Sequence, residues 1–118
     1  MLDWNAYRAE LMTRIGEIGA LSPDTVRGYQ ALSGAAQKNG RLDPKTAELI
    51  AIAVAVTLRC DGCIAVHTNA ALKHGATRED IADALGVAVA LNAGAAMVYS
   101  ARTLDAVAAL DAQAKSAH

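Results

Sequence analysis

Apolar residues recur every three or four positions along most of the chain, with short polar interruptions between the segments. Leu11, Ile15 and Ile18 follow this spacing and predict a first amphipathic helix over about residues 4–20. The Asn39-Gly40 pair predicts the end of a second helix, because glycine readily adopts the positive φ of a helix C-terminus.

Proline marks the starts of two helices. Ser22 precedes Pro23 and Asp43 precedes Pro44; serine and aspartate cap helix N-termini, and proline fits the first helical position. The second start opens a run whose residues 49–56 are continuously apolar and partly β-branched. Periodicity alone leaves a buried strand open there. The Asp-Pro start and the length of the segment favour a buried helix.

Two further helices are predicted after this run. The first begins near Asp61 and stops at Gly75. Thr77, with Asp80 three residues later, then resembles a capping box, in which the two side chains satisfy each other's backbone N–H groups.

The remaining residues, 78–114, read as helical, with a break or kink expected near residues 92–94. Residues 84–101 approach the length of a membrane span, but they are mostly alanine and glycine with Asn92 at the centre. We therefore favour a helix that is buried or faces another subunit. The prediction is a single all-α domain over residues 1–118 with about six helices and no membrane association.

Composition narrows the classes of partner. The chain is 53% hydrophobic but only 3% aromatic, and its net charge is −1. No basic stripe with interleaved aromatics is present, so a nucleic-acid partner is not expected. A positive mean hydropathy is high for so short a chain, because small domains have too much surface to bury that apolar area alone. We therefore expect a homo-oligomer.

The N-terminal segment is charged and amphipathic, without a basic region followed by an apolar run. We therefore expect a cytoplasmic protein. In that compartment two cysteines are kept reduced rather than joined for structural reasons.

The stretch "RCDGCIAVH" holds both cysteines and a histidine. Cys60 and Cys63 open a predicted helix, whose unpaired N–H groups and dipole stabilise a thiolate. Cys63 and His67 are four residues apart and share a helix face, so the imidazole can take up and return the thiol proton. The helix dipole favours Cys60 as the attacking sulfur, whereas the nearby base favours Cys63. We prefer Cys63 as the attacking residue.

Glu48 stands in an otherwise apolar run, where a carboxylate is costly unless it is paired. If its helix folds back on the next one, Glu48 can orient His67 and complete a set of nucleophile, base and orienting group. Three other interpretations stay open. The thiols are purely structural, the four side chains bind zinc, or Glu48 complements the dipole of its own helix.

The spacing of these residues resembles a known family. Glu48, eleven intervening residues, "CDGC", three residues and then His67 are similar to the alkylhydroperoxidase D-like (AhpD-like) core of the carboxymuconolactone decarboxylase superfamily. The continuation "HTNAALKHGATREDIADALGVAVALNAGAAMVYSARTLDA" resembles that family as well, so the similarity covers about residues 42–106.

The resemblance implies an all-helical fold in trimers or hexamers and a thiol-dependent peroxidase or disulfide reductase active in antioxidant defence. It implies that Glu48 and His67 relay protons through a water to Cys63, while Cys60 completes a redox-active disulfide. No flavin, haem or metal cofactor is required. Substrates would be peroxides or small disulfides, and the reductant a thiol such as a lipoylated or thioredoxin-like protein. Better-known members carry a histidine where this chain has Gly62.

Two alternatives from other functional classes remain. The decarboxylase branch of the superfamily acts on a lactone acid and generally lacks the cysteine pair, so Cys60 and Cys63 argue against it. A non-catalytic oligomer that senses oxidation or binds metal needs the same reactive thiol. Turnover with excess peroxide and reductant separates an enzyme from a sensor.

Overall fold

The computed structural model describes residues 1–117, and within that range the chain forms five α-helices and no β-strand. His118, the last residue of the predicted domain, lies outside the described residues. The all-α prediction is confirmed. In chain order the helices are α1 (Trp4–Leu21), α2 (Pro23–Asn39), α3 (Pro44–Leu58), α4 (Asp61–Lys73) and α5 (Arg78–Ser116).

The predicted starts of α2, α3 and α5 are confirmed, and side-chain caps are present at the last two. The Asp43 carboxylate accepts a hydrogen bond from the Thr46 backbone N–H, which holds the pKa of Asp43 below its usual value. Thr77 and Asp80 form the complete capping box at the start of α5. Ser22 occupies the N-cap position of α2, but its hydroxyl contacts the Thr25 hydroxyl and not the backbone.

The predicted break near residues 92–94 is wrong, which reduces the helix count from six to five. α5 runs without interruption for 39 residues. The Asn92 side chain donates to the Ala88 carbonyl oxygen one turn earlier and to the Thr57 hydroxyl on α3, at 2.7 and 2.9 Å. One amide proton is therefore satisfied within α5 and the other by α3, so Asn92 does not require a break in the helix.

The core lies where α3, α4 and the first half of α5 meet. Ile52, Ala71 and Ala76 are its buried centre, and Leu49, Ile81 and Leu85 pack around them. Five of the six buried apolar residues of the described chain are alanine, which lets the helix backbones approach closely. At the edge of this core Lys45 on α3 contacts the Asp80 carboxylate on α5 at 3.4 Å.

The outer part of α5 extends away from this core. The radius of gyration is 20.6 Å, against about 13 Å for a compact domain of 100 residues. By length and composition alone α5 could cross a membrane, and its apolar stretch is almost entirely exposed in the monomer. The predicted burial of α3 holds for Ile52 and Ala55, whereas Ile50, Val54 and Leu58 are about half exposed or more. The single chain therefore leaves much of its apolar surface uncovered.

Candidate active site

A tight connection between α3 and α4 sets the position of the first cysteine. α3 ends at Arg59, which adopts a left-handed conformation with φ of 56°. The backbone N–H groups of Arg59 and Cys60 both bond back to the Ala55 carbonyl oxygen, and this closes the last turn of the helix. Cys60 is then the residue that caps α4.

Cys60 and Cys63 are joined by a disulfide across the first turn of α4. Their Cα atoms are 5.2 Å apart, within the range that a disulfide spans without backbone movement. The Cys63 backbone N–H points at Cys60 Sγ, with a nitrogen–sulfur distance of 3.1 Å. Cys60 therefore occupies the N-cap position, where a helix terminus stabilises negative charge on sulfur once the disulfide is reduced.

Glu48 and His67 meet across the α3–α4 interface. Glu48 Oε2 lies 2.6 Å from His67 Nδ1. The Glu48 side chain is 12% exposed and that of His67 30%, so the carboxylate is largely buried while part of the imidazole remains accessible. Glu48 is the one charged residue in the buried set of the described chain, and His67 is the partner that such a carboxylate requires.

This contact determines which imidazole nitrogen is available for proton transfer. An ionised carboxylate only accepts hydrogen bonds, so Nδ1 carries the proton that faces Glu48. Nε2 is then free to accept a proton from another group. Because His67 follows Cys63 by one turn of α4, the imidazole and the second sulfur lie on the same face of that helix.

Helix α1 packs over the turn between the cysteines. A methyl group on Gly62 would lie 2.8 Å from Leu11 Cδ2 and 3.9 Å from the Tyr7 hydroxyl. The first distance is shorter than carbon atoms tolerate, so glycine lets α1 approach this closely. The side chain of Leu11 therefore occupies space that any larger residue at position 62 would need.

His74, the other histidine of the described residues, lies apart from this group. His74 is the C-cap of α4, and it lines a separate cleft with Asp43 and Pro44. Across residues 1–117, no three or more His, Cys, Asp and Glu side chains are grouped so as to hold a metal ion. The four residues proposed as zinc ligands therefore do not form such a group in this structure.

Comparison with known proteins gives the family. The model of the carboxymuconolactone decarboxylase family matches residues 23–111, about three quarters of the chain. The chain belongs to this family. The AhpD-like proteins are part of the same superfamily, so the resemblance noted from Glu48, the cysteine pair and His67 is confirmed at that level.

Two uncharacterized bacterial proteins and one solved structure are similar to this chain over most of its length. An uncharacterized protein of Haemophilus influenzae is 46% identical over 104 residues, covering 88% of this chain and 92% of the relative. An uncharacterized protein of Cupriavidus necator is 35% identical over 110 residues, covering 93% and 97%. The crystal structure of apo-lpg0406, a carboxymuconolactone decarboxylase family protein from Legionella pneumophila, is 37% identical, with a TM-score of 0.72 over 83% of this chain and 88% of that one.

Two features of the candidate active site were not predicted from the sequence. The α1 side chains Tyr7 and Leu11 cover Gly62, although they are more than 50 positions away in the chain. Arg59 adopts a conformation that usually favours glycine or asparagine. The only sequence signal for the first contact is Gly62 itself, since a glycine early in a helix often marks a close approach.

Proposed function

We propose that the protein is a thiol-dependent peroxidase or disulfide reductase in which Cys60 and Cys63 cycle between dithiol and disulfide. The observation that carries this proposal is the cysteine pair at a helix N-terminus together with the Glu48–His67 contact one turn further along. This combination supplies a nucleophile, a resolving thiol, a base and a group that orients the base. Membership of the carboxymuconolactone decarboxylase family is consistent with it.

The proposed cycle begins with the Cys63 thiolate. It attacks one oxygen of the peroxide ROOH, the O–O bond breaks, and a sulfenic acid forms on Cys63 while RO⁻ leaves. The leaving group takes a proton and departs as the alcohol. The Cys60 thiol then attacks the sulfenic sulfur, water is released and the disulfide forms. Two external thiols reduce the disulfide by exchange and leave as their own disulfide, which returns both cysteines to the starting state.

In this proposed cycle His67 transfers protons, and Glu48 stabilises its protonated form. In the proposed first step Nε2 of His67 accepts the Cys63 thiol proton, directly or through a water, and then delivers it to the departing alkoxide. Glu48 keeps Nδ1 protonated and stabilises the imidazolium that forms between these two events. Burial of Glu48 strengthens this stabilisation, because the effective dielectric constant near it is lower than in water.

We further propose that the working form is a homo-oligomer, a trimer or hexamer, reduced by a thiol protein such as a lipoylated or thioredoxin-like one. The support for assembly is the long apolar stretch of α5. Leu91, Met97 and Leu104 are each about two thirds exposed or more in the single chain. Soluble monomers rarely display so large an apolar surface. A second copy of the chain is the partner we propose for it.

The decisive experiment measures peroxide consumption by the reduced protein. With tert-butyl hydroperoxide and dithiothreitol both in large excess, an enzyme consumes many equivalents of peroxide per chain. Because dithiothreitol also re-reduces a dithiol that peroxide oxidises slowly, the rate is compared with that of dithiothreitol alone and of the Cys63→Ser protein. A rate constant for peroxide no higher than that of a free thiol would overturn the peroxidase proposal. The same assay with a small disulfide such as oxidised glutathione measures the reductase activity.

A further inference from the structure

A cleft of about 400 Å³ lies between the start of α1 and the face of α4 beside the active-site helix turn. Its volume falls in the range of small-molecule sites, which is about 300–1,000 Å³. Ile64 and Thr68 in its wall directly follow Cys63 and His67 in the chain. The full lining consists of Met1, Trp4, Asn5, Arg8, Ile64, Ala65, Thr68, Asn69 and Leu72.

The wall of the cleft is apolar, and Arg8 is the one cationic side chain that lines it. Trp4, Ile64 and Leu72 provide a hydrophobic surface, and no acidic side chain lines the cleft. Arg8 is half-buried and makes no salt bridge with any carboxylate of residues 1–117. A guanidinium beside an apolar surface, without an acidic partner, is complementary to a carboxylate on an apolar body.

We propose that this cleft binds a small amphiphilic monocarboxylate, with its apolar chain against Trp4, Ile64 and Leu72 and its carboxylate on Arg8. Thr68 and Asn69 offer further hydrogen-bonding groups at the wall. A single arginine suits one carboxylate, whereas phosphate groups usually engage several cations or a free helix N-terminus. The N-terminus of α1 is not free, because Asp3 caps it. This inference goes beyond the proposed redox function and requires no reaction at the cysteines.

Trp4 makes the proposal directly measurable, because it is the single tryptophan of the chain and lines the cleft. Octanoate is titrated into the oxidised wild-type protein while tryptophan fluorescence is recorded, and octanol is the uncharged comparison. We expect saturable binding of octanoate that is at least 10-fold tighter than that of octanol. Arg8→Met should weaken octanoate binding by about 10- to 100-fold, the usual effect of losing a charge-assisted hydrogen bond, without weakening octanol.

Two variants control this experiment. Arg14→Met removes an arginine of the same helix that is exposed and paired with Glu17, and it should leave octanoate affinity unchanged. Thr68→Phe fills the cleft without adding a tryptophan, and it should abolish binding of both ligands while circular dichroism reports an intact fold. Equal affinity for octanoate and octanol, or equal losses from Arg8→Met and Arg14→Met, would overturn the proposal. A protein-concentration-dependent change in Trp4 emission without ligand would also overturn it, in favour of a second copy in the cleft. None of these outcomes depends on peroxide turnover.

Discussion

Glu48 Oε2 and His67 Nδ1 are 2.6 Å apart although the two residues are 19 positions apart in the chain. The contact joins a carboxylate in the apolar run of α3 to the imidazole that follows the cysteine pair on α4. Burying the Glu48 carboxylate without such a partner is costly, so His67 offsets that cost while Glu48 orients the imidazole. One contact therefore serves both packing and the proposed chemistry.

Removing the imidazole should slow peroxide turnover. We expect His67→Ala to lower kcat/KM by about 100-fold or more, since a positioned acid–base group typically contributes 10²–10⁴-fold. Glu48→Gln should cause a smaller loss, because the amide oxygen still accepts from Nδ1 but no longer stabilises the imidazolium. Stopped-flow peroxide consumption measures both. Glu79→Gln, in the first turn of α5, is the matched control and should behave like wild type. Full activity in His67→Ala would remove the histidine from the mechanism.

Substitution of Cys63 and of Cys60 should block different steps of the proposed cycle. Cys63→Ser should abolish reaction with peroxide, because the attacking sulfur is lost. Cys60→Ser should react once and accumulate a sulfenic acid on Cys63, because no second thiol remains to form the disulfide. Dimedone labelling followed by intact-mass and peptide spectrometry identifies the modified residue. A dimedone adduct on Cys60 in the Cys63→Ser protein would reverse the proposed roles.

The contact between Gly62 and Leu11 predicts that the effect of Gly62→Ala on the free energy of unfolding changes sign when the Leu11 side chain is removed. Gly62→Ala in the wild type gains up to about 1 kcal/mol of helix propensity. It also forces Leu11 aside, and overpacking costs about 1–3 kcal/mol, so we expect a net loss of stability. In a Leu11→Ala background the space is open, and Gly62→Ala should stabilise by up to about 1 kcal/mol. Urea unfolding of the four proteins measures the coupling. Additive effects would show that α1 does not press on this turn.

The capping box at α5 predicts a pH dependence of stability. The pKa of Asp80 is lowered from its ordinary value, chiefly by the hydrogen bond from the Thr77 backbone N–H and further by Lys45. A carboxyl with a depressed folded-state pKa stabilises the fold above its unfolded value of 3.8 and loses that contribution as pH falls through the folded value. Asp80→Asn should therefore be less stable than wild type near pH 6, and the difference in stability should narrow as the pH falls below 3.8. Asp105→Asn is the control, measured by thermal unfolding across the same range.

The exposed stretch of α5 predicts association in solution. Sedimentation should give a mass that is a multiple of the 12.2 kDa chain. Leu104→Glu places a charge on that stretch and should lower the mass or the unfolding temperature, because a leucine buried in an interface contributes about 1.5–3 kcal/mol. Gln113→Glu, near the end of the same helix, should do neither. A wild-type monomer at micromolar concentration would contradict the proposed assembly.

Local features of the chain were predictable because they depend on neighbouring residues. The starts of α3 and α5 follow from Asp43 with Pro44 and from Thr77 with Asp80, whose capping bonds span three residues. The cysteine pair at the start of α4 is equally local. The conformation around Asn92, by contrast, depends on a residue distant in the chain. As a polar residue two positions before Gly94, Asn92 predicts a break, but Thr57 on another helix accepts its second amide proton.

By itself the sequence determined the all-helical class, the helix starts and the face shared by Cys63 and His67, since each depends on contacts within a few residues. Only the tertiary structure decided that Glu48 reaches His67, that α1 covers Gly62 and that α5 continues unbroken. Those outcomes depend on how helices distant in sequence pack. The free energy of that packing comes from buried apolar area and from satisfied polar groups. Both depend on residues far apart in the chain, so a local sequence pattern does not predict them.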